Sequence, residues 1–232
     1  MTSPLPQRLA AETAGAAFLV ATVVGSGVMA EALARDAALA LLANTLATGA
    51  MLVVLITTLG LISGVHFNPA ISLIFALRGD LARREAGLYA LGQVAGAIAG
   101  TVLAHAMFAL PLLQASHKIR FGEVQWLSEG VASFGLAATI LAGLRFERKA
   151  VPWLVGLYIC AAYWFTASTS FANPAVAIAR SFTDTFSGIR AADLPGFILA
   201  ELAGAISAFA AMSWLLQAPA DAAAIQTAEE LP

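Results

Sequence analysis

Two strings of residues carry most of the chemistry this sequence offers, Asn68-Pro69-Ala70 and Asn173-Pro174-Ala175. Each sets a side-chain amide before a proline at a place where a helix can begin. Proline in a first turn sacrifices nothing, because its missing N–H would have no helical partner there. The asparagine before it can cap that turn. A helix N-terminus carries about half a positive charge. Two such starts brought tip to tip would gather positive potential and amide N–H donors at one spot, ready to bond a hydroxyl or a water. One such triplet is an ordinary turn. Two of them, 105 residues apart, each between a long apolar run and a short one, form a pattern. Three carboxylates, Glu12, Glu129 and Glu201, also stand inside apolar runs. The histidines, His66, His105 and His117, are scattered and form no HExxH or HxxxH pattern, so no metal site and no catalytic residue is assigned.

The elements that must hold these residues follow from composition. Of 232 residues, 60% are hydrophobic and only 11% charged, with a mean hydropathy of +0.84. Soluble domains carry about 25% charged residues. Disorder and nucleic-acid binding are excluded, a soluble enzyme is disfavoured, and a net charge of −2 steers no ionic partner. The one cysteine, Cys160, forms no internal disulfide and reads as a small buried hydrophobe. About 20 apolar residues span about 30 Å of hydrocarbon. Six runs meet or approach that length: Leu9 to Ala30, Ala37 to Ile62, Ala86 to Leu110, Val124 to Leu144, the short Val151 to Ala167, and Leu194 to Leu216. The first has an acid near its start instead of a basic leader and is read as retained. The tails, Met1 to Gln7 and Ala218 to Pro232, leave no room for a second domain.

The chain also repeats. Glu12 matches Glu129 at an offset of 117, the triplets match at 105, and Gln93 matches Glu201 at 108. The halves, 1–115 and 116–232, each hold three spans, and an odd number turns the second copy upside down in the membrane. Apolar stretches after the triplets, Ile71 to Leu77 and Val176 to Ala179, are too short to cross and read as half-helices of re-entrant loops. Inverted repeats interrupted at matching places point to a midplane transport site. Gly92, Gly96 and Gly100 make a small face for close helix approach. The backbone before each triplet is expected to be extended, with carbonyls turned to a pore. Lys and Arg divide seven (Arg8, Arg78, Arg83, Arg84, Arg145, Arg148, Lys149) against five (Arg35, Lys118, Arg120, Arg180, Arg190), favouring cytoplasmic termini.

With Ser63-Gly64-Val65-His66-Phe67-Asn68-Pro69-Ala70, the second triplet, Glu12, Glu129 and the Gly92/Gly96 pattern in view, the sequence resembles the aquaporins of the major intrinsic protein family. The resemblance covers nearly the whole chain. It implies an all-α membrane protein, with six transmembrane helices and two half-helices around one pore, assembled as a homotetramer in the lipid bilayer. It implies a passive channel, not an enzyme, with no cofactor. Glu12 and Glu129 would hold the pore-loop backbone. His66 would line the pore or pack beneath it, with packing preferred.

One departure matters. The arginine that usually follows the second triplet is replaced by Val176. Arg180 lies one turn farther on, either as a partial substitute or paired with Asp184; the pairing is preferred. Carried over by spacing, the other filter positions are Thr48, Ser170 and Ala161, with Tyr163 as a replacement for Ala161. These residues make a wide, uncharged filter, of the kind found in bacterial aquaglyceroporin-like members linked to metalloids. The expected solutes are water, glycerol and neutral hydroxides such as arsenite, in a bacterial inner membrane. The alternatives are a water-selective pore in which Arg180 takes over the arginine's role, a membrane enzyme, a proton-coupled transporter using the buried acids, and a closed junction protein.

Overall fold

The computed structural model describes residues 3–217. Expectations about Met1, Thr2 and the stretch 218–232 lie outside those residues. Within them every regular element is helical. The helices are α1 (Leu5–Leu33), α2 (Ala37–Ser63), α3 (Pro69–Arg78), α4 (Arg83–Met107), α5 (Glu123–Phe146), α6 (Val151–Phe165), α7 (Pro174–Arg180) and α8 (Leu194–Leu215).

Five of these, α1, α2, α4, α5 and α8 with its leading turn, are long and apolar enough to cross a membrane. At 1.5 Å per residue, the 15 residues of α6 cover about 22 Å, short of a full crossing, as its sequence suggests. A single 3-10 turn, Arg148–Ala150, precedes it. The long helices overrun the apolar runs by a few residues, because helix ends continue into polar residues that the hydropathy pattern does not count. The outward faces are apolar: Leu61 is 92% exposed, Leu33 80% and Trp214 73%. Such surfaces belong against lipid, where an exposed hydrocarbon side chain carries no penalty.

The two short helices start where the prolines set them. Asn68 caps α3 by accepting from the Ala70 N–H at 2.9 Å, and Asn173 caps α7 from Ala175 at 3.0 Å. Each proline occupies the first turn. α3 ends after ten residues at Gly79, whose φ of 86° is the left-handed geometry that stops a helix. α7 ends after seven.

The packing repeats. α1 lies chiefly on α4 and α2, and α5 on α8 and α6. Both main crossings close over a glycine. A Cβ on Gly96 would overlap the Thr13 carbonyl, and one on Gly204 would overlap the Gly130 carbonyl. Thr13 and Gly130 occupy matched positions in the two halves, so both crossings use the same contact. α2 and α6 join the two sets, α3 rests on α4, and α7 sits between α4 and α8.

Candidate functional site: two loops clasped beside one cavity

The starts of α3 and α7 meet. The Asn68 amide donates to the Ala172 carbonyl at 2.7 Å, and the Asn173 amide donates to the Phe67 carbonyl at 2.8 Å. Each asparagine thus does two jobs, its oxygen capping its own helix and its nitrogen holding the opposite loop. Each amide nitrogen has two hydrogens, so one N–H on either side remains for another partner.

A buried carboxylate stands behind each loop. Glu12, on α1, accepts from the His66 and Phe67 N–H groups at 3.0 and 2.7 Å, from Ser63 Oγ at 2.6 Å and from Gln93 Nε2 at 2.8 Å. The Tyr89 hydroxyl adds a bond to the Ser63 carbonyl at 3.0 Å. Glu129, on α5, accepts from the Phe171 and Ala172 N–H groups at 2.9 and 2.7 Å. Glu201, on α8, accepts from the Asn173 N–H at 3.1 Å. All three carboxyl groups are fully buried.

The loops are not extended, contrary to the sequence expectation. Val65, Phe67, Ser170 and Ala172 all have positive φ, between 47° and 49°. Left-handed residues two apart turn consecutive N–H groups toward the carboxylate in each loop, and the second loop has a further left-handed residue in Thr169, φ 63°. Non-glycine residues held this way cost about 1–2 kcal/mol each, while hydrogen bonds to a charged group return about 1.5–3 kcal/mol each. The buried acids thus hold the loops in a backbone form they would otherwise avoid.

Beside the clasp runs a cavity of ≈ 480 Å³. Its lining begins at Arg78, Asp80 and Arg148, passes Asn68 and Asn173, and reaches Tyr163, Ser170 and Arg180. One wall is hydrocarbon, including Leu19, Leu52, Leu136, Val155 and Ile159. The other is loop backbone and amide. Pro69, Ala70, Pro174 and Ala175 sit at the first turns of α3 and α7 next to this lining.

Of the filter positions read from spacing, Thr48, Ser170 and Val176 line the cavity. Ala161 does not. It lies on the exposed face of α6, and Tyr163, two positions on and turned inward, occupies the lining instead, its hydroxyl 3.4 Å from Thr48 Oγ1. Arg180 is also corrected. It does not pair with Asp184, because α7 ends at Arg180 and helical spacing no longer relates the two residues. Asp184 instead accepts from the His117 N–H at 2.9 Å and meets the His117 ring at 3.1 Å, contacts that hold its carboxyl below the usual carboxylate range. The Arg180 guanidinium lies 3.4 Å from the centre of the Phe171 ring, and its Nε donates to the Ser187 carbonyl. Its Nη1 is buried at the cavity without a partner.

His66 both lines the cavity and packs. Its Nδ1 meets Ser72 Oγ at 3.1 Å, its ring lies 4.5 Å from that of Phe75, and its Nε2 is buried without a partner. Cys160 is only half-buried, outside the cavity lining, with its thiol 3.5 Å from the Thr45 carbonyl.

Several participants went unrecognised as such in the sequence: Ser63, Gln93, Tyr89, Arg120 and the proximity of Glu201 to Glu129. Arg120 braces the second loop, donating to the Ser168 carbonyl at 3.0 Å and the Gly188 carbonyl at 2.9 Å. The matching of Gln93 with Glu201 in the repeat was the available signal for two of them.

Residues 2–150 match the family described as major intrinsic protein. The chain is 68% identical over 226 residues to aquaglyceroporin AqpS of Rhizobium meliloti strain 1021, covering 97% of each chain. It is 30% identical to aquaporin NIP1-1 of Arabidopsis thaliana, over 67% of this chain and 55% of that one. Among solved structures it resembles the aquaglyceroporin of Plasmodium falciparum, with a TM-score of 0.66 at 19% identity, over 89% of this chain and 94% of that one.

Proposed function

Because this chain belongs to the major intrinsic protein family, we propose that it is a multi-pass membrane channel letting small neutral solutes, water and glycerol among them, run down their gradients. The observation that carries this reading is the single cavity bordered by both Asn68 and Asn173, with hydrocarbon opposite. A solute hydroxyl exchanges bonds with the free amide N–H groups on one side while its carbon skeleton slides along the other. Helix N-termini at the clasp make the site unfavourable for cations.

At the outer constriction Thr48, Ser170 and Val176 are small, which favours solutes broader than water. Neutral arsenite, close to glycerol in size and in the spread of its hydroxyls, belongs to that class. The halves 1–115 and 116–232 are inverted copies, and the channel assembles as a homotetramer in an inner membrane with both termini cytoplasmic. Arg180 favours a second reading, a narrower water-selective pore. Its unpartnered Nη1 at the cavity is a donor and a charge where Val176 supplies neither.

Stopped-flow and uptake assays in proteoliposomes separate the two. The wide channel passes glycerol and arsenite as well as water, and Val176→Arg lowers the flux of the larger solutes more than that of water. Passage of water alone, with glycerol admitted only by Arg180→Leu, would establish the second reading.

A further inference from the structure

The two loops are backed by different chemistry at one matched position. Behind the first loop, the Gln93 side chain donates an N–H to the Glu12 carboxylate. Behind the second, the residue at the matching place in the repeat is Glu201, on the helix packed against that of Glu129, and the two carboxyl groups accept consecutive backbone N–H groups, Glu129 that of Ala172 and Glu201 that of Asn173. An amide beside a carboxylate makes a hydrogen bond. Two ionised carboxylates side by side in a buried site make only repulsion.

The cations that act on this pair, Arg120 and Arg180, do so from beyond ion-pair distance. Both groups are fully buried. Among the described residues neither has a basic side chain within 4 Å. The helices packed on α8 are α5, α7 and α3. Glu129 comes from α5. Arg180, at the end of α7, acts on Glu201 only from a distance, its guanidinium stacked on the Phe171 ring and its Nε bonded to the Ser187 carbonyl. The one basic residue of α3, Arg78, stands at its far end.

The oxygens can be accounted for one by one. Both Glu129 oxygens accept backbone N–H groups, as an ionised carboxylate does. Glu201 Oε1 accepts the Asn173 N–H. Glu201 Oε2 is buried and has no donor aimed at it.

We propose that Glu201 keeps its proton on Oε2 in the folded protein and donates it to the Glu129 carboxylate, doing for the second loop what the Gln93 amide does for the first. Glu201 is then a positioning residue. It fixes Glu129, which holds Phe171 and Ala172, and it fixes Asn173 directly. The inference is independent of which solute passes.

The test is infrared difference spectroscopy on the full-length protein in lipid. Wild type minus Glu201→Gln shows loss of a protonated-carboxyl carbonyl stretch at neutral pH. The converse variant, Gln93→Glu, gains such a band. A wild-type minus Glu201→Gln spectrum holding only carboxylate bands would overturn the proposal. So would failure of Glu201→Gln to assemble, or a Gln93→Glu protein without the added band. The infrared readings decide the matter even in a protein that conducts nothing, so they stand or fall apart from the channel reading.

Discussion

The loop before α3 and the loop before α7 reach nearly the same backbone shape through unequal means. The first turns on one carboxylate with four donors: two backbone N–H groups, Ser63 and Gln93. The second divides the work between Glu129 and Glu201 and adds Arg120 as a brace from outside. What is kept between the halves is the geometry at the clasp, with its left-handed residues and paired asparagines. What varies is the supply of hydrogen bonds behind it. A repeat can drift in its supporting side chains as long as the backbone N–H groups remain satisfied.

That difference can be broken by experiment. Glu12→Ala strands four donors at once and should cost about 4 kcal/mol or more, whereas Glu129→Ala strands three, two backbone N–H groups and the Glu201 hydroxyl, and should cost about 3 kcal/mol or more. Unfolding of the purified variants in detergent reads both values, and equal losses would mean that the loops are supported alike. The glycine crossings probe the opposite claim, that some contacts are the same in both halves. Gly96→Val and Gly204→Val each force a side chain into a backbone carbonyl, for about 1–3 kcal/mol apiece. A large inequality between them would show that the crossings are not equivalent.

The smallest effect lies in the loop after α7, where among the described residues the second half alone has an acid–imidazole contact. Asp184 binds the His117 N–H, and its folded value is depressed. The support it gives is therefore present above the ordinary aspartate range and is lost as pH falls through the depressed folded value. Amide exchange at His117 should quicken in acid over that interval, while exchange at the clasp stays slow. Nearby, burial pushes the Lys118 ammonium down, and that group donates to the Phe186 carbonyl at 2.7 Å.

The sequence made some of this legible. The paired triplets, the spans and the acids at Glu12 and Glu129 could be read, because proline position, hydropathy and repeat spacing are local signals. The handedness of the loops was not, since Val65, Phe67, Ser170 and Ala172 are not glycine and nothing in their identity announces a positive φ. Arg180 and Asp184 misled because four-residue spacing means proximity only while the helix continues. Ala161 misled because counting positions along α6 does not fix which way that helix is rotated. Tyr163 was the residue turned inward.

The crossed amides bear on how the protein is made. Asn68 leaves the ribosome 104 residues before the carbonyl it binds, and Asn173 reaches back 106 residues. Until the later segment is inserted, the earlier loop has lost one of its two anchors. The two crossed bonds can therefore form only after both distant segments are in place.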